Sequence, residues 1–128
     1  TSEVGILAQG ESLAEAFTQA ALGLFSFMTD LSQVQERESR RVEVAAPDLD
    51  ALLIEWLNEL LYCFEVEDLL FRRFEIPELH PTGLQALCYG ERYDPARHRI
   101  EAGIKAATYY MVEVRQGPPW EVQVYLDI

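Results

Sequence analysis

The side chains of this 128-residue sequence that are suited to chemistry gather in its final stretch. Lys105 is the only lysine among ten basic residues, the others being arginine. It falls in Ile104–Arg115 (IKAATYYMVEVR), where a compact ammonium has the chemistry to contact a phosphate or another anion. Asp127 and Ile128 close the chain. If Ile128 is the native end, its carboxylate and that of Asp127 offer several oxygens together, the donor type that Ca²⁺ and Mg²⁺ take. The competing readings are a solvated pair of carboxylates and a lysine that discourages edge-to-edge strand pairing.

Two strands have to position these groups. In the first, Ile104, Ala106, Thr108, Tyr110, Val112 and Val114 alternate with Lys105, Tyr109, Glu113 and Arg115. In the second, Trp120–Ile128 (WEVQVYLDI), an apolar set alternates with Glu121, Gln123 and Asp127. Pairing them antiparallel through the Gln116–Pro119 turn, apolar face to apolar face, leaves only a few registers. Each of these puts Lys105 on the polar side, close to Asp127.

Other reactive residue types carry less. Cys63 and Cys88 lack CxxC spacing, and two cysteines do not make a structural zinc site alone. They read as buried thiols of a reducing, cytoplasmic protein. His80 (LHPTG) and His98 (DPARHR) belong to no HExxH or nucleophile pattern and read as loop residues. The net charge of −12, from 22 acids against 10 bases, excludes strong phosphate-backbone binding by this chain alone. It suits a bound cation or a basic protein partner. No run of about 18 apolar residues is present, so no membrane helix or membrane partner is expected. No secretory signal is visible, and because the sequence opens on Thr1, a few native residues are expected to precede it.

The rest of the chain reads as a scaffold in a single domain over 1–128. Val4–Ala8 is a short strand. Ser12 and Glu15 form a capping box before a helix running to about Met28. Residues 29–39 read as a loop, and Arg41–Ala45 as a strand. Asp48–Phe64 (DLDALLIEWLNELLYCF) is a core helix. Leu49, Leu52, Leu53, Trp56, Leu57, Leu60, Leu61 and Phe64 lie on one face, with Asp50, Glu55, Asn58 and Glu59 on the other. Leu69–Ile76 and Leu84–Tyr89 are strands separated by a turn at Pro77–Gly83, and Asp94-Pro95 marks another turn. This order predicts an α+β fold with two helices laid on a mainly antiparallel sheet.

Four blocks of the sequence resemble the archease family. Ser12–Asp30 (SLAEAFTQAALGLFSFMTD) resembles its first helix and following MTD, and Asp48–Phe64 its DLxxLLxxWLNELLYxF helix. Ile104–Tyr109 resembles its (V/I)KAxTY strand, and Val124–Ile128 its ΦxΦDΦ ending, where Φ is apolar. The resemblance implies a strand-helix-strand-strand (SHS2-type) two-layer module. It also implies an accessory protein, not an enzyme, for the tRNA-splicing RNA ligase. Such a protein promotes guanylylation of the ligase histidine and multiple turnover, and broadens nucleotide use. A bound divalent cation is implied as well, Ca²⁺ first, with Mg²⁺ or Mn²⁺ as alternatives. In the family an acid within an HTADΦG motif and the last two residues hold it, which maps here to Glu3, Asp127 and Ile128. Lys105 matches a functionally important family lysine.

The sequence departs from that motif at its front. Thr1-Ser2-Glu3-Val4-Gly5 lacks the His and the short strand expected before it, Ser2 stands for Ala, and Glu3 for Asp. The longer Glu side chain shifts the geometry of a cation site. Two other functions compete: a chaperone-like modulator of an RNA-modifying enzyme such as a tRNA methyltransferase, and a metal-dependent phosphohydrolase built on Glu3, Asp127 and Lys105.

Overall fold

The computed structural model describes residues 3–128. Its element order is β1 (Glu3–Gly10), α1 (Leu13–Met28), β2 (Glu38–Ala45), α2 (Leu49–Glu67), β3 (Leu69–His80), β4 (Gly83–Arg92), β5 (Ala106–Arg115) and β6 (Trp120–Asp127), with a 3₁₀ turn at Leu31–Gln33. The α+β class with two helices holds. The segment β2-α2-β3-β4 has the strand-helix-strand-strand order. The strands divide between two antiparallel three-stranded sheets, ordered β1-β6-β5 and β2-β4-β3. Among the described residues, no helix is long and apolar enough to cross a membrane.

Both helices begin where capping chemistry directs. Ser12 Oγ accepts from Glu15 N–H at 3.1 Å, and the Glu15 carboxylate reaches back to Glu11 N–H at 3.3 Å, one residue earlier than a capping box requires. Asp48 Oδ1 accepts from Ala51 N–H at 2.9 Å. α2 continues a turn past Phe64 and stops at Asp68, whose φ of 60° is left-handed and whose N–H reaches back to Phe64 O.

α2 is more enclosed than a one-faced amphipathic helix. Leu52, Leu53, Trp56, Leu57, Leu60 and Leu61 are buried as their spacing predicts, but Ala51, Ile54 and Cys63 are buried as well. The reason is that both helices touch strands of both sheets. Trp56 Nε1 donates to Phe17 O at 3.1 Å, joining the helices, and its ring meets Phe74 edge-on.

Several boundaries differ from the sequence expectation. β1 extends through Gln9-Gly10, and β2 starts at Glu38. β3 runs through Pro77 to His80, so only Pro81-Thr82 is left as the turn and His80 ends a strand. β3 is an edge strand, and Pro77 lies within its irregularity between Glu75 and Glu78, where a missing N–H is tolerated. β5 begins at Ala106, which leaves Ile104 and Lys105 just outside it, and β6 ends at Asp127, before Ile128.

Candidate functional site

The pairing of β1 with β6 sets Glu3 directly opposite Asp127. On the other side of β6, Asp127 lies opposite Ala106, and the Lys105 N–H donates to Asp127 O at 2.8 Å. Three positions far apart in sequence thus meet at one end of the β1-β6-β5 sheet. Val122, Val124 and Leu126 point into the core, so the alternating Asp127 points outward, with Glu3 beside it. Lys105 is exposed. Ile128 packs its side chain against the core, so only main-chain oxygen is on offer there.

Two carboxylates directly opposite on neighbouring strands repel each other, at a cost of roughly 0.2–1 kcal/mol. A cation placed between them removes that cost. Their oxygens are the hard donors that Ca²⁺ and Mg²⁺ prefer, so the donor chemistry fits a divalent ion. Among the described residues, no group of three or more His, Cys, Asp or Glu side chains converges on a metal position. For such an ion, further ligands would have to come from main-chain oxygen at Ile128 or water.

The local backbone is held by a residue that periodicity alone placed on the solvated side of α2. Asn58 is half-buried. Its Oδ1 accepts from Ala107 N–H at 2.8 Å, and its Nδ2 donates to Ala107 O at 3.2 Å. This two-way clamp satisfies the start of edge strand β5 and fixes the chain two residues after Lys105. Its sequence signal is the lone amide on an otherwise acidic polar face. Glu55 is exposed as expected, while Glu59 is half-buried.

β5 does not keep one alternation. Its register to β6 shifts between Thr108 and Glu113, and Met111 takes a positive φ of 52°. Ala107 faces inward before this bulge, and Val112 and Val114 after it. Ala106, Thr108 and Tyr110 therefore do not share the inner face with Val112 and Val114, and Tyr110 is exposed. The inserted residues reverse the parity of the strand.

The model of the Archease protein family (MTH1598/TM1083) matches residues 1–128. The chain belongs to the archease family. The curated "Protein archease" of Methanosarcina mazei is 38% identical, covering all of this chain and 91% of its own. That of Pyrococcus abyssi is also 38% identical, covering all of this chain and 94% of its own. The solution structure of Methanobacterium thermoautotrophicum protein 1598 superposes with a TM-score of 0.84 at 34% identity, covering all of this chain and 94% of that one.

In this archease-family chain the four resembling blocks take distinct places. Two build α1 and α2, and two form the strand ends that bring Lys105 and Asp127 together. Thr1 and Ser2, which open the match to the family's first motif, lie outside the described residues.

The remaining reactive residues lie elsewhere. Cys63 and Cys88 are buried free thiols, and burial pushes the Cys63 thiol up to about 11, so neither is poised as a nucleophile. His98 is not an open loop residue: it is 3% exposed. Its Nδ1 accepts from Asp94 N–H at 2.9 Å, which leaves Nε2 to donate to Glu91 at 2.9 Å. Glu91, 4% exposed, also accepts from Gln35 N–H at 2.8 Å and pairs with Arg97 and Arg37. Burial pulls its carboxyl upward. The hydrogen bonds from Gln35, His98 and Arg97 outweigh that pull and hold it below the usual carboxylate value. An open cleft of about 340 Å³ lies over this cluster, lined by Arg37, Glu38, Glu91, Arg92, Asp94 and Arg97. Its charges are largely paired with one another, and none of Glu3, Lys105 or Asp127 reaches it.

Proposed function

We propose that this chain is an accessory activator of the tRNA-splicing RNA ligase. It promotes guanylylation of the ligase histidine and repeated turnover, and broadens nucleotide use, without a catalytic centre of its own. The observation that supports this reading is the register that sets Glu3 against Asp127 and ties the Lys105 main chain to Asp127. Family membership supplies the expectation of an RNA-processing role.

In this reading Glu3, Asp127 and an oxygen at Ile128 hold a divalent cation, Ca²⁺ by preference over Mg²⁺ or Mn²⁺. When bound, the ion neutralises phosphate charge. The chain's own residues do the positioning. Asn58 clamps the start of β5 to α2 and the Lys105 N–H ties it to β6, which holds Lys105, its side chain exposed, at this end of the sheet. There it contacts the phosphates of a nucleotide in the ligase active site. With ten bases against 22 acids, nucleic acid is met through the ligase.

The test is a ligase assay with and without this protein, in which guanylylation and multiple turnover are expected to rise. Asp127→Asn and Lys105→Ala are expected to abolish most of the gain while leaving the fold intact. A wild-type protein that produces no gain overturns the reading.

A further inference from the structure

The outer face of the β1-β6-β5 sheet carries an apolar surface that no element among the described residues covers. Leu7 is 63% exposed, Tyr110 60% and Met111 57%. The register joins them. Leu7 lies opposite Gln123, whose side-chain amide donates to Met111 O at 2.9 Å. Gly5 lies opposite Tyr125, whose ring passes so close that a Cβ at Gly5 would sit 3.2 Å from it. Tyr110 meets the Tyr125 ring edge-on, with centroids 5.6 Å apart. All three strands therefore contribute to one surface, and the Glu3–Asp127 pair lies at its end.

Two features separate this surface from scattered exposed side chains. The first is that its centre is built at a backbone cost. Met111 holds a left-handed conformation that side-chain-bearing residues avoid, within the bulge that carries Tyr110 and Met111. The second is charge. Glu3, Glu113, Glu121 and Asp127 project to this side. The one arginine among them, Arg115, is already paired with Glu113 and Glu121. The surface is thus an aromatic and aliphatic centre with a rim that four carboxylates against one arginine keep net negative, even with a divalent cation on Glu3 and Asp127, on a chain of net charge −12.

We propose that this face is the surface through which the chain docks onto its protein partner. The partner presents an apolar centre ringed by Lys and Arg. The inference rests on the reading of the chain as a ligase activator and adds the surface that reading leaves open. Charge decides among occupants. A second copy docking by two-fold symmetry would set the acidic rims against each other. Nucleic acid would bring phosphates against the same carboxylates. A basic protein rim is attracted to this one, and Tyr and Met are residue types enriched at the centres of such interfaces. Docking here also carries the Glu3–Asp127 end toward the partner.

The test titrates the RNA ligase with the full chain and reads the half-saturating concentration for stimulated guanylylation. The double variant Leu7→Ser/Tyr110→Ser is expected to raise that concentration at least tenfold. Tyr62→Ser removes a side chain that is also exposed but lies on α2, and is expected to leave it unchanged. Raising salt is expected to raise the wild-type value, because the rim contribution is screened. Circular dichroism melts confirm that each variant folds. If wild type stimulates and the double variant matches it, the docking face is overturned while the activator reading stands. If wild type neither stimulates nor binds the ligase, both fall. If the wild-type chain sediments as a dimer and the double variant as a monomer, the occupant is a second copy, and the proposal is overturned.

Discussion

Two carboxylate clusters in this molecule are built from the same kinds of residue and end in opposite states. Around Glu91, buried near the end of β4, the acid is met by Arg37, Arg97, His98 and the Gln35 N–H. At the end of the β1-β6-β5 sheet, Glu3 faces another acid, Asp127, with Lys105 joined to that strand through the main chain. The first cluster is satisfied from within. The second leaves a like-charge pair for something else to complete. A perturbed, buried, well-connected acid attracts attention, yet the candidate for function is the pair of exposed Glu3 and half-buried Asp127, which the fold does not satisfy.

The largest expected effect breaks the satisfied side of this contrast. Glu91→Ala strands His98 and the Gln35 N–H in a buried site and is expected to cost about 3–5 kcal/mol of stability, read by urea unfolding. Wild-type loss in acid tests the same point. Because the folded carboxyl lies below its ordinary value, its contribution is full above the unfolded value of about 4.3. It disappears as pH falls through the lower folded value. Glu91→Gln is expected to flatten that acid limb.

The unsatisfied side should respond to cation. A roughly hundredfold excess of Ca²⁺ over its Kd is expected to stabilise the chain by about 2.7 kcal/mol, read as a rise in Tm that EDTA reverses. Asp127→Asn is expected to abolish that rise and, in EDTA, to match or slightly exceed wild-type stability, since it relieves the Glu3–Asp127 repulsion. A variant that keeps the full Ca²⁺ response would remove the pair from any cation site.

Smaller effects sharpen the comparison. Asn58→Ala leaves the Ala107 N–H and C=O without their side-chain partner and is expected to cost about 1–3 kcal/mol. It should also lower ligase stimulation by loosening the entry to β5. Thr108 tests the opposite sign, for its Oγ1 is buried without a hydrogen-bond partner. Thr108→Val keeps the shape and removes that hydroxyl, so stability is expected to rise by up to about 1 kcal/mol.

Much of the scaffold was legible in the sequence because its causes are local. Apolar residues every three or four positions, with Ser12 and Asp48 as caps, specify α1 and α2 wherever they pack. Period-two runs bounded by Gly and Pro specify strands. The order of these elements gave the α+β class, and the resemblance to the archease family, through its four blocks and its first motif, named Glu3, Lys105, Asp127 and Ile128 as residues to watch.

What the tertiary structure decided is everything that depends on which strands become neighbours. Periodicity gives each strand two faces but no partner, so it did not separate the strands into two sheets. Nor could it seat Glu3 across from Asp127, positions separated by nearly the whole chain. It carried one alternation through Ile104–Arg115, because a bulge is set by how β5 must curve against β6 and not by residue spacing. Asn58 and His98 changed meaning for the same reason. A polar side chain on a helix or in a loop reads as solvated until another element, here β5 for Asn58 and Glu91 of β4 for His98, arrives to bury it and take its hydrogen bonds.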